Sequence, residues 1–319
     1  MKISGFTMGK NAHKLYYPMR HSVESILPLV DEFVVALGDS DTDDQTRSEI
    51  EAIGSEKIRI VDTVWDIEKF PRGMEHAHQT DIAKSLCTGD WLFYLQSDEV
   101  VHEKDLESIR KRCAELLSDE EVEGLLFRYR HFWGDYEHIQ DGHCWYRKEI
   151  RIIRNHPEIH SWESAQSFRK IPGFEGINYR QQEGTFKLKV AEVDAEIFHY
   201  GWVRPPAVMQ NKIKAFRINH HGREKVEQQV ADNHFDRIFD YGNLSKLTPY
   251  RGSHPAAMKD WMARFDWKSQ LRYSGPARSL NPMVSKHDKP RYRIISWIEK
   301  NLPGNVRLGE FKNYIKLQK

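Results

Sequence analysis

Gly89-Asp90-Trp91-Leu92-Phe93-Tyr94-Leu95-Gln96-Ser97-Asp98-Glu99-Val100 is the stretch on which the reading of this chain turns. The aromatic and aliphatic run from Trp91 to Leu95 has the length and continuity of a buried strand, the kind found in parallel sheets. It runs straight into the acidic pair Asp98-Glu99. In an open α/β sheet, ligands bind outside the carboxyl ends of the strands, so an acid released there is placed to hold a cation together with its phosphate ligand. The same two acids can instead cap a helix that begins near His102. The segment alone supports both readings, and its company decides between them.

Working outward, residues 1 to 98 alternate between short β-type runs and helical runs, the pattern of βαβ units and a mostly parallel sheet. Strands are expected at Lys2 to Met8, Asp31 to Leu37, Lys57 to Asp62 and Trp91 to Leu95, with helices at Arg20 to Pro28, Thr46 to Ile53 and Gly73 to Cys87. Past the acidic pair, His102 to Leu117 has helical spacing. Gly124 to Phe132 and Trp145 to Arg154 read as strands, as does a short run from Ala195 to Tyr200. Beyond Arg204 the pattern turns helical, with Pro205-Pro206 opening one helix, Ser253 capping another over Pro255 to Phe265, and a third at Tyr292 to Leu302. The expected fold is therefore α/β, with a first unit over 1–204 and a helical, basic extension over 205–319. The family resemblance drawn below implies that the first unit is catalytic, with a nucleotide-binding half (about 1–100) and an acceptor half (about 101–204).

The composition fits that plan. A chain of 319 residues with 39% hydrophobic content can build one large α/β domain with appendages or two small domains. Its net charge of +1 conceals an asymmetry, because residues 268–319 are strongly basic. That tail can face an anionic membrane, nucleic acid or only solvent. The three cysteines, Cys87, Cys113 and Cys144, form neither a disulfide framework nor a zinc-binding spacing, which fits a reducing cytosol. No leader-like start is present, and no window approaches the ~20 apolar residues of a spanning helix. The expected location is cytoplasmic, at most peripheral to a membrane.

Three polar clusters fall at carboxyl ends of strands: Asp39 to Asp43, Asp98-Glu99, and His199. Those ends share one edge of a parallel sheet, so distant residues can converge on one ligand. A hard cation held by oxygen ligands and one imidazole is a sensible product. Mn²⁺ suits mixed oxygen and nitrogen ligation, whereas Mg²⁺ prefers oxygen and retained water.

These residues resemble the GT-A fold glycosyltransferases, in particular those similar to family 2, over roughly residues 1 to 215. The matching pieces are Asn11 after the first strand, Asp39-Ser40-Asp41-Thr42-Asp43 after the second, Thr88-Gly89-Asp90, Gln96-Ser97-Asp98 in place of the Asp-x-Asp motif, and His199 to Pro206. The resemblance implies a mostly parallel Rossmann-like sheet and inverting transfer of a sugar from a nucleotide-sugar donor to a hydroxyl acceptor. It further implies a divalent cation, Mn²⁺ or Mg²⁺, on Asp98 and His199. Donor contacts would come from Thr7, Asn11, Asp39, Asp41, Gln96, Ser97, Arg204 and Lys212. Glu163, with His160 second, lies where that family carries its general base. Trp133, Trp162 and Gln166 would meet the acceptor, since aromatic faces can stack on sugar rings. Two departures stand out: Gln96 replaces the first acid of the metal motif, which leaves Glu99 as well as His199 to complete it, and Gly38 replaces the first acid of the second-strand cluster.

The implied pathway is assembly of a cell-surface polysaccharide or lipopolysaccharide, with a glycan or lipid-linked glycan as acceptor and peripheral membrane contact through the basic C-terminal region. The competing readings are a protein or peptide glycosyltransferase and a non-catalytic nucleotide-sugar-binding protein. Nucleic acid is not an expected partner, because the motifs lie away from the basic tail.

Overall fold

Runs of β-branched and aromatic residues in the first hundred positions become four parallel strands: β1 (Ile3–Gly9), β2 (Glu32–Leu37), β3 (Ile58–Asp62) and β4 (Trp91–Tyr94), ordered β3-β2-β1-β4. They belong to a computed structural model that describes residues 1–222, 224, 226–228, 238–276, 289–302, 307–309 and 312–319. The crossovers carry α1 (Met19–Ile26), α2 (Thr46–Glu51) and α3 (Met74–Ser85). Because side chains alternate across a strand, the sheet buries both faces. Phe33, Val35, Trp91 and Phe93 meet Val23 and Ile26 on one side. Phe6, Val34, Leu92 and Tyr94 meet Ala83 and Phe168 on the other. Each large apolar side chain so enclosed contributes about 1.5–3 kcal/mol.

The chain then turns mixed. β5 (Glu99–Val101) is followed by α4 (Leu106–Glu115), β6 (Gly124–Trp133), β7 (His138–Gln140), β8 (Lys148–Arg154), β9 (Ile159–Trp162), β10 (Ser167–Lys170) and β11 (Phe186–Trp202). β8 runs antiparallel to both β4 and β6, β11 lies parallel to β6, and β10 and β9 extend the sheet beyond β11. β11 is 17 residues long, where the sequence suggests only its last third. Its apolar alternation changes phase near Ala191, and the pairing with β6 slips between Glu192 and Glu196. Such a bulge hides a long strand from any test for strict alternation.

After β11 come α5 (Pro206–His221), β12 (Thr248–Pro249), α6 (Lys259–Met262), α7 (Pro290–Asn301) and β13 (Tyr314–Lys316). The helix expected over Pro255 to Phe265 is reduced to a 3₁₀ turn at Ala256–Met258 leading into the four-residue α6, and Ser253 does not cap it. The Ser253 hydroxyl instead meets His102 Nε2 at 2.9 Å. The region is also less helical than expected, since β13 pairs with β11 and β12 with β7. An aromatic core joins it to the sheet: Trp261, Trp267 and Leu271 share a cluster with Phe132, Trp133, Tyr136, Phe198 and Tyr200. Buried indoles need acceptors, and Trp267 Nε1 donates to the Gly134 carbonyl at 2.9 Å. Part of the basic tail is likewise neutralised, because buried Glu299 binds both His143 and Arg307.

Candidate active site

The short strand β5 creates the site. It pairs antiparallel with β11 so that Glu99 opposes His199, and the Tyr200 N–H donates to the Asp98 carbonyl at 2.8 Å. Asp98 Oδ2 thereby comes within 3.7 Å of His199 Nε2 and 3.6 Å of Lys212 Nζ from α5. Burial alone raises the Asp98 pKa, yet the surrounding charges of His199, Lys212 and Arg204 outweigh it and hold the carboxyl below its usual range. Burial and the Arg204 charge pull Lys212 down to about 7, against the pull of Asp98. His199 is lowered as well, chiefly by burial, with Asp98 opposing. The carboxylate is thus kept ionised inside the protein, the state needed to ligate a cation.

Gly201 lets that pair pack directly against the backbone. A Cβ built there would stand 2.5 Å from Asp98 Oδ2 and 2.6 Å from His199 Nε2. Close by, Arg204 is fully buried. Its Nη1 donates to the Leu15 carbonyl at 2.5 Å and its guanidinium lies over the Tyr17 ring at 4.5 Å, while Nε and Nη2 have no hydrogen-bond partner. Buried guanidinium donors without acceptors are costly, and Arg204 could donate to an anion there.

Glu99 takes no part in ligation. Arg151 grips it through two 2.7 Å bonds, and Tyr129 donates to it at 2.8 Å. It also accepts the Gln96 N–H at 3.1 Å, so it anchors the loop that presents Asp98. Gln96, in the place of an acid, is spent on structure: its Nε2 donates to the Ala165 carbonyl at 2.9 Å. Ser97 Oγ donates to the Met8 carbonyl at 3.0 Å, tying the end of β4 to the end of β1. Among the described residues no three carboxylate, imidazole or thiol groups gather around one point. Asp98 and His199 form a two-ligand centre, suited to an ion whose other ligands come from a bound anion and water.

Beside this centre, the loops after β1 and β2 are clipped together. Asn11, in the left-handed region at φ 53°, accepts the Asp41 N–H at 2.8 Å through Oδ1, and its own N–H donates to Ser40 Oγ at 2.9 Å. Asp39 binds Lys10 Nζ at 2.8 Å and the Trp65 N–H at 2.9 Å, and Asp41 binds Lys14. The Gly38 departure now has a cause: a Cβ there would lie 2.4 Å from Trp65 Nε1. The indole from the loop after β3 fills the space an acidic side chain would need. Four parallel strands in the order 3-2-1-4 bring the acidic loop of β2 and the Asp98 turn of β4 to one edge, with His199 of β11 completing the centre. The fold is thus a mixed, mostly parallel central sheet flanked by helices.

No family model matches the chain, and no curated protein does. Among solved structures, glucosyl-3-phosphoglycerate synthase from Mycobacterium tuberculosis, in complex with Mn²⁺, UDP and phosphoglyceric acid, is 20% identical, with a TM-score of 0.29 over 40% of this chain and 43% of that one. The same synthase with Mn²⁺, UDP-glucose and glycerol 3-phosphate gives 20% identity and a TM-score of 0.28 over 40% and 44%. With Mg²⁺ and UDP it gives 20% and 0.29, again over 40% and 44%. The chain spans less than half the length of these structures, and the reading of the site stands on its own geometry.

The remaining expected residues divide sharply. Glu163 sits on the turn between β9 and β10 at φ 58°, with Ala165 at φ 60°, and left-handed non-glycine residues are strained. Its carboxylate accepts from Gln166 Nε2 at 2.7 Å and lies 3.7 Å from Arg180. Gln96 fastens this turn to the Asp98 loop through Ala165. His160 is not at the site, because Asp81 of α3 binds its Nδ1 at 2.7 Å and makes it a strut between β9 and α3. Trp162 is not a sugar platform either: it is 2% exposed, with the Arg169 guanidinium 3.8 Å above its ring. Trp133 is stacked on Trp202 at 4.8 Å, and its Nε1 donates to the Tyr241 carbonyl. It reaches open space only as part of the wall of a cavity of about 650 Å³ shared with Trp202, Phe216, Tyr292 and Trp297. Thr7 lies fully buried within β1, its hydroxyl unpartnered, away from the donor edge.

Sequence reasoning overlooked Gly201, Tyr17, Trp65, Arg151 and His131. Trp65 carried a signal, since it follows β3 at the same carboxyl edge. Gly201 carried one too, as a glycine two residues after a candidate ligand. Arg151 and His131 reach the site only by cross-strand pairing, which the linear chain does not announce.

Proposed function

We propose that this chain is a divalent-metal-assisted glycosyltransferase that moves a sugar from a nucleotide-sugar donor to a hydroxyl acceptor with inversion. The observation that carries the proposal is the buried cluster of Asp98, His199, Lys212 and Arg204, in which two candidate ligand atoms lie against Gly201 and two guanidinium nitrogens have no acceptor. A buried guanidinium and amine beside one ionised carboxylate are best completed by a ligand of mixed charge.

Asp98 Oδ2 and His199 Nε2 would hold the cation, whose chemistry is to neutralise the diphosphate as the glycosidic bond breaks. Arg204 supplies fixed N–H donors to the same phosphates, and Lys212 adds a positive charge anchored on the Gly201 carbonyl at 2.5 Å. Asp39, half-exposed beside Trp65, is placed to accept from the ribose or base. Glu163 takes the proton from the acceptor hydroxyl, a step typically contributing 10²- to 10⁴-fold. Gln166 holds its carboxylate in one orientation meanwhile.

The pathway is assembly of a cell-surface glycan, and the acceptor side faces the cavity beside Trp202. Peripheral contact with an anionic membrane is supported by α7, whose Ile294 and Trp297 are 60% and 67% exposed among Lys289, Arg291, Arg293 and Lys300. Exposed Trp and Ile amid basic residues suit an interfacial helix. No helix among the described residues is long and apolar enough to cross a membrane.

The test is thermal unfolding with UDP, GDP, CDP and dTDP, with and without Mn²⁺, on wild type and Asp98→Ala. One nucleotide should stabilise wild type by about 2.7 kcal/mol at a hundred times its dissociation constant, and only with metal and Asp98 present. Absence of any shift at saturating nucleotide would sink the transferase reading. A shift indifferent to Mn²⁺ and to Asp98→Ala would favour a nucleotide-sugar-binding protein without turnover.

A further inference from the structure

His131 lies opposite His199 in the β6–β11 pairing and is buried. Its Nε2 is 2.7 Å from the Tyr146 carbonyl, and its Nδ1 is 2.9 Å from His199 Nδ1. The protons in this chain are fixed by elimination. A carbonyl has no hydrogen to give, so His131 Nε2 must carry one and donate it. In a neutral ring Nδ1 is then bare and must accept, which requires His199 Nδ1 to be the protonated nitrogen. In the neutral His199 ring that ligation of a cation requires, the second nitrogen, Nε2, then keeps its lone pair on the side of Asp98 Oδ2. The alternative, a doubly protonated His131, would place a charge among Tyr129, Trp145 and Tyr146, whose rings lie 4.6–5.3 Å away, with no carboxylate among its hydrogen-bond partners.

We infer that His131 is a positioning residue that sets the tautomer of His199, so that Nε2 is the free nitrogen at the cation site. The inference rests on the reading of Asp98 and His199 as the cation's ligands. Its importance here follows from Gln96: with the first acid of the metal motif spent on the Ala165 carbonyl, one carboxylate and one imidazole form the whole protein contribution. A ligand imidazole that donates its other N–H is held in orientation and made more basic, and loss of such a partner typically weakens metal binding 10- to 100-fold. Here the acceptor is a second histidine, itself oriented by a backbone carbonyl. The relay ends on main chain and carries no net charge.

Two measurements test it. Long-range ¹H–¹⁵N correlation of the histidine rings in metal-free wild type should show His199 protonated at Nδ1 and bare at Nε2. A ring protonated at Nε2 overturns the inference while leaving nucleotide and metal binding untouched. Mn²⁺ titration followed by electron paramagnetic resonance, with UDP present and absent, should give a dissociation constant about 10- to 100-fold higher in His131→Phe than in wild type. Most of that loss should be restored in His131→Gln, whose amide keeps one acceptor and one donor. Equal affinity in wild type and His131→Phe overturns the relay alone, whereas a wild type that binds no Mn²⁺ overturns it together with the metal-site reading. If His131→Phe does not fold, the wild-type ring correlation still decides.

Discussion

Replacing Gly201 with alanine is the sharpest perturbation this site offers, because the added methyl would collide with both expected ligands of the cation. The new Cβ would lie 2.5 Å from Asp98 Oδ2 and 2.6 Å from His199 Nε2, inside the 3.0 Å that real Cβ contacts respect. Neither neighbour can withdraw cheaply. His199 is tethered to His131, and Asp98 lies on a turn whose carbonyl is bonded to Tyr200. Ligand atoms around Mg²⁺ stand ~2.0–2.1 Å from the ion, so a displacement of half an ångström in either ligand spoils coordination. A loss of about 100-fold in Mn²⁺ affinity is expected, by analogy with disrupted ligand support. At a Mn²⁺ concentration a hundred times the wild-type dissociation constant, wild type gains about 2.7 kcal/mol of stability, and a variant weakened 100-fold gains only about 0.4 kcal/mol. Denaturant unfolding with and without Mn²⁺ measures both gains directly, and the metal-free curve of each protein serves as its own reference. Equal metal-dependent gains in wild type and Gly201→Ala would refute the placement of the cation between Asp98 and His199.

Other consequences can be checked with the same protein. Arg204→Met should abolish nucleotide-diphosphate binding by calorimetry while leaving metal-free stability equal or slightly higher, because two unpartnered buried nitrogens disappear with the charge. Glu163→Gln should lower kcat of sugar transfer by about 10²- to 10⁴-fold with nucleotide affinity unchanged, and an unaltered kcat would exclude it as the base. His254 and His76 are each pushed down to about 4, mainly by burial, with His102 and His220 adding unfavourable charge. In both, the folded value lies below the ordinary 6.5, so the unfolded chain binds more protons under acid conditions. The contribution of these two rings should be constant above pH 6.5 and fall between pH 6.5 and 4 at up to ~1.4 kcal/mol per pH unit for each ring, read from urea unfolding across that range. Ile294→Ser with Trp297→Ser should reduce sedimentation with vesicles containing phosphatidylglycerol while leaving nucleotide binding intact. Equal sedimentation of the double variant and wild type would remove α7 as the contact.

The alternation of apolar and helical runs over residues 1–98 was enough to determine the parallel half of the sheet, because buried strands and amphipathic helices carry their periodicity in the chain itself. Local chemistry likewise marked the loop acids at the strand ends. Tertiary pairing decided the rest. Whether Asp98 or Glu99 faces the site depends on the three-residue strand β5 and on Arg151, 52 residues away, which claims Glu99 for the interior. His160 and Trp162 are plausible in sequence, but partners on other elements, Asp81 and Arg169, hold them in structural roles. The tautomer of His199, the close packing of Asp98 and His199 on Gly201 and the displacement of an acid at Gly38 by Trp65 arise from contacts across strands and loops. Linear patterns record how a segment divides its own surface between core and solvent. Ligation and proton placement depend on distances of a few ångströms between segments far apart in the chain, and these exist only once the sheet has closed.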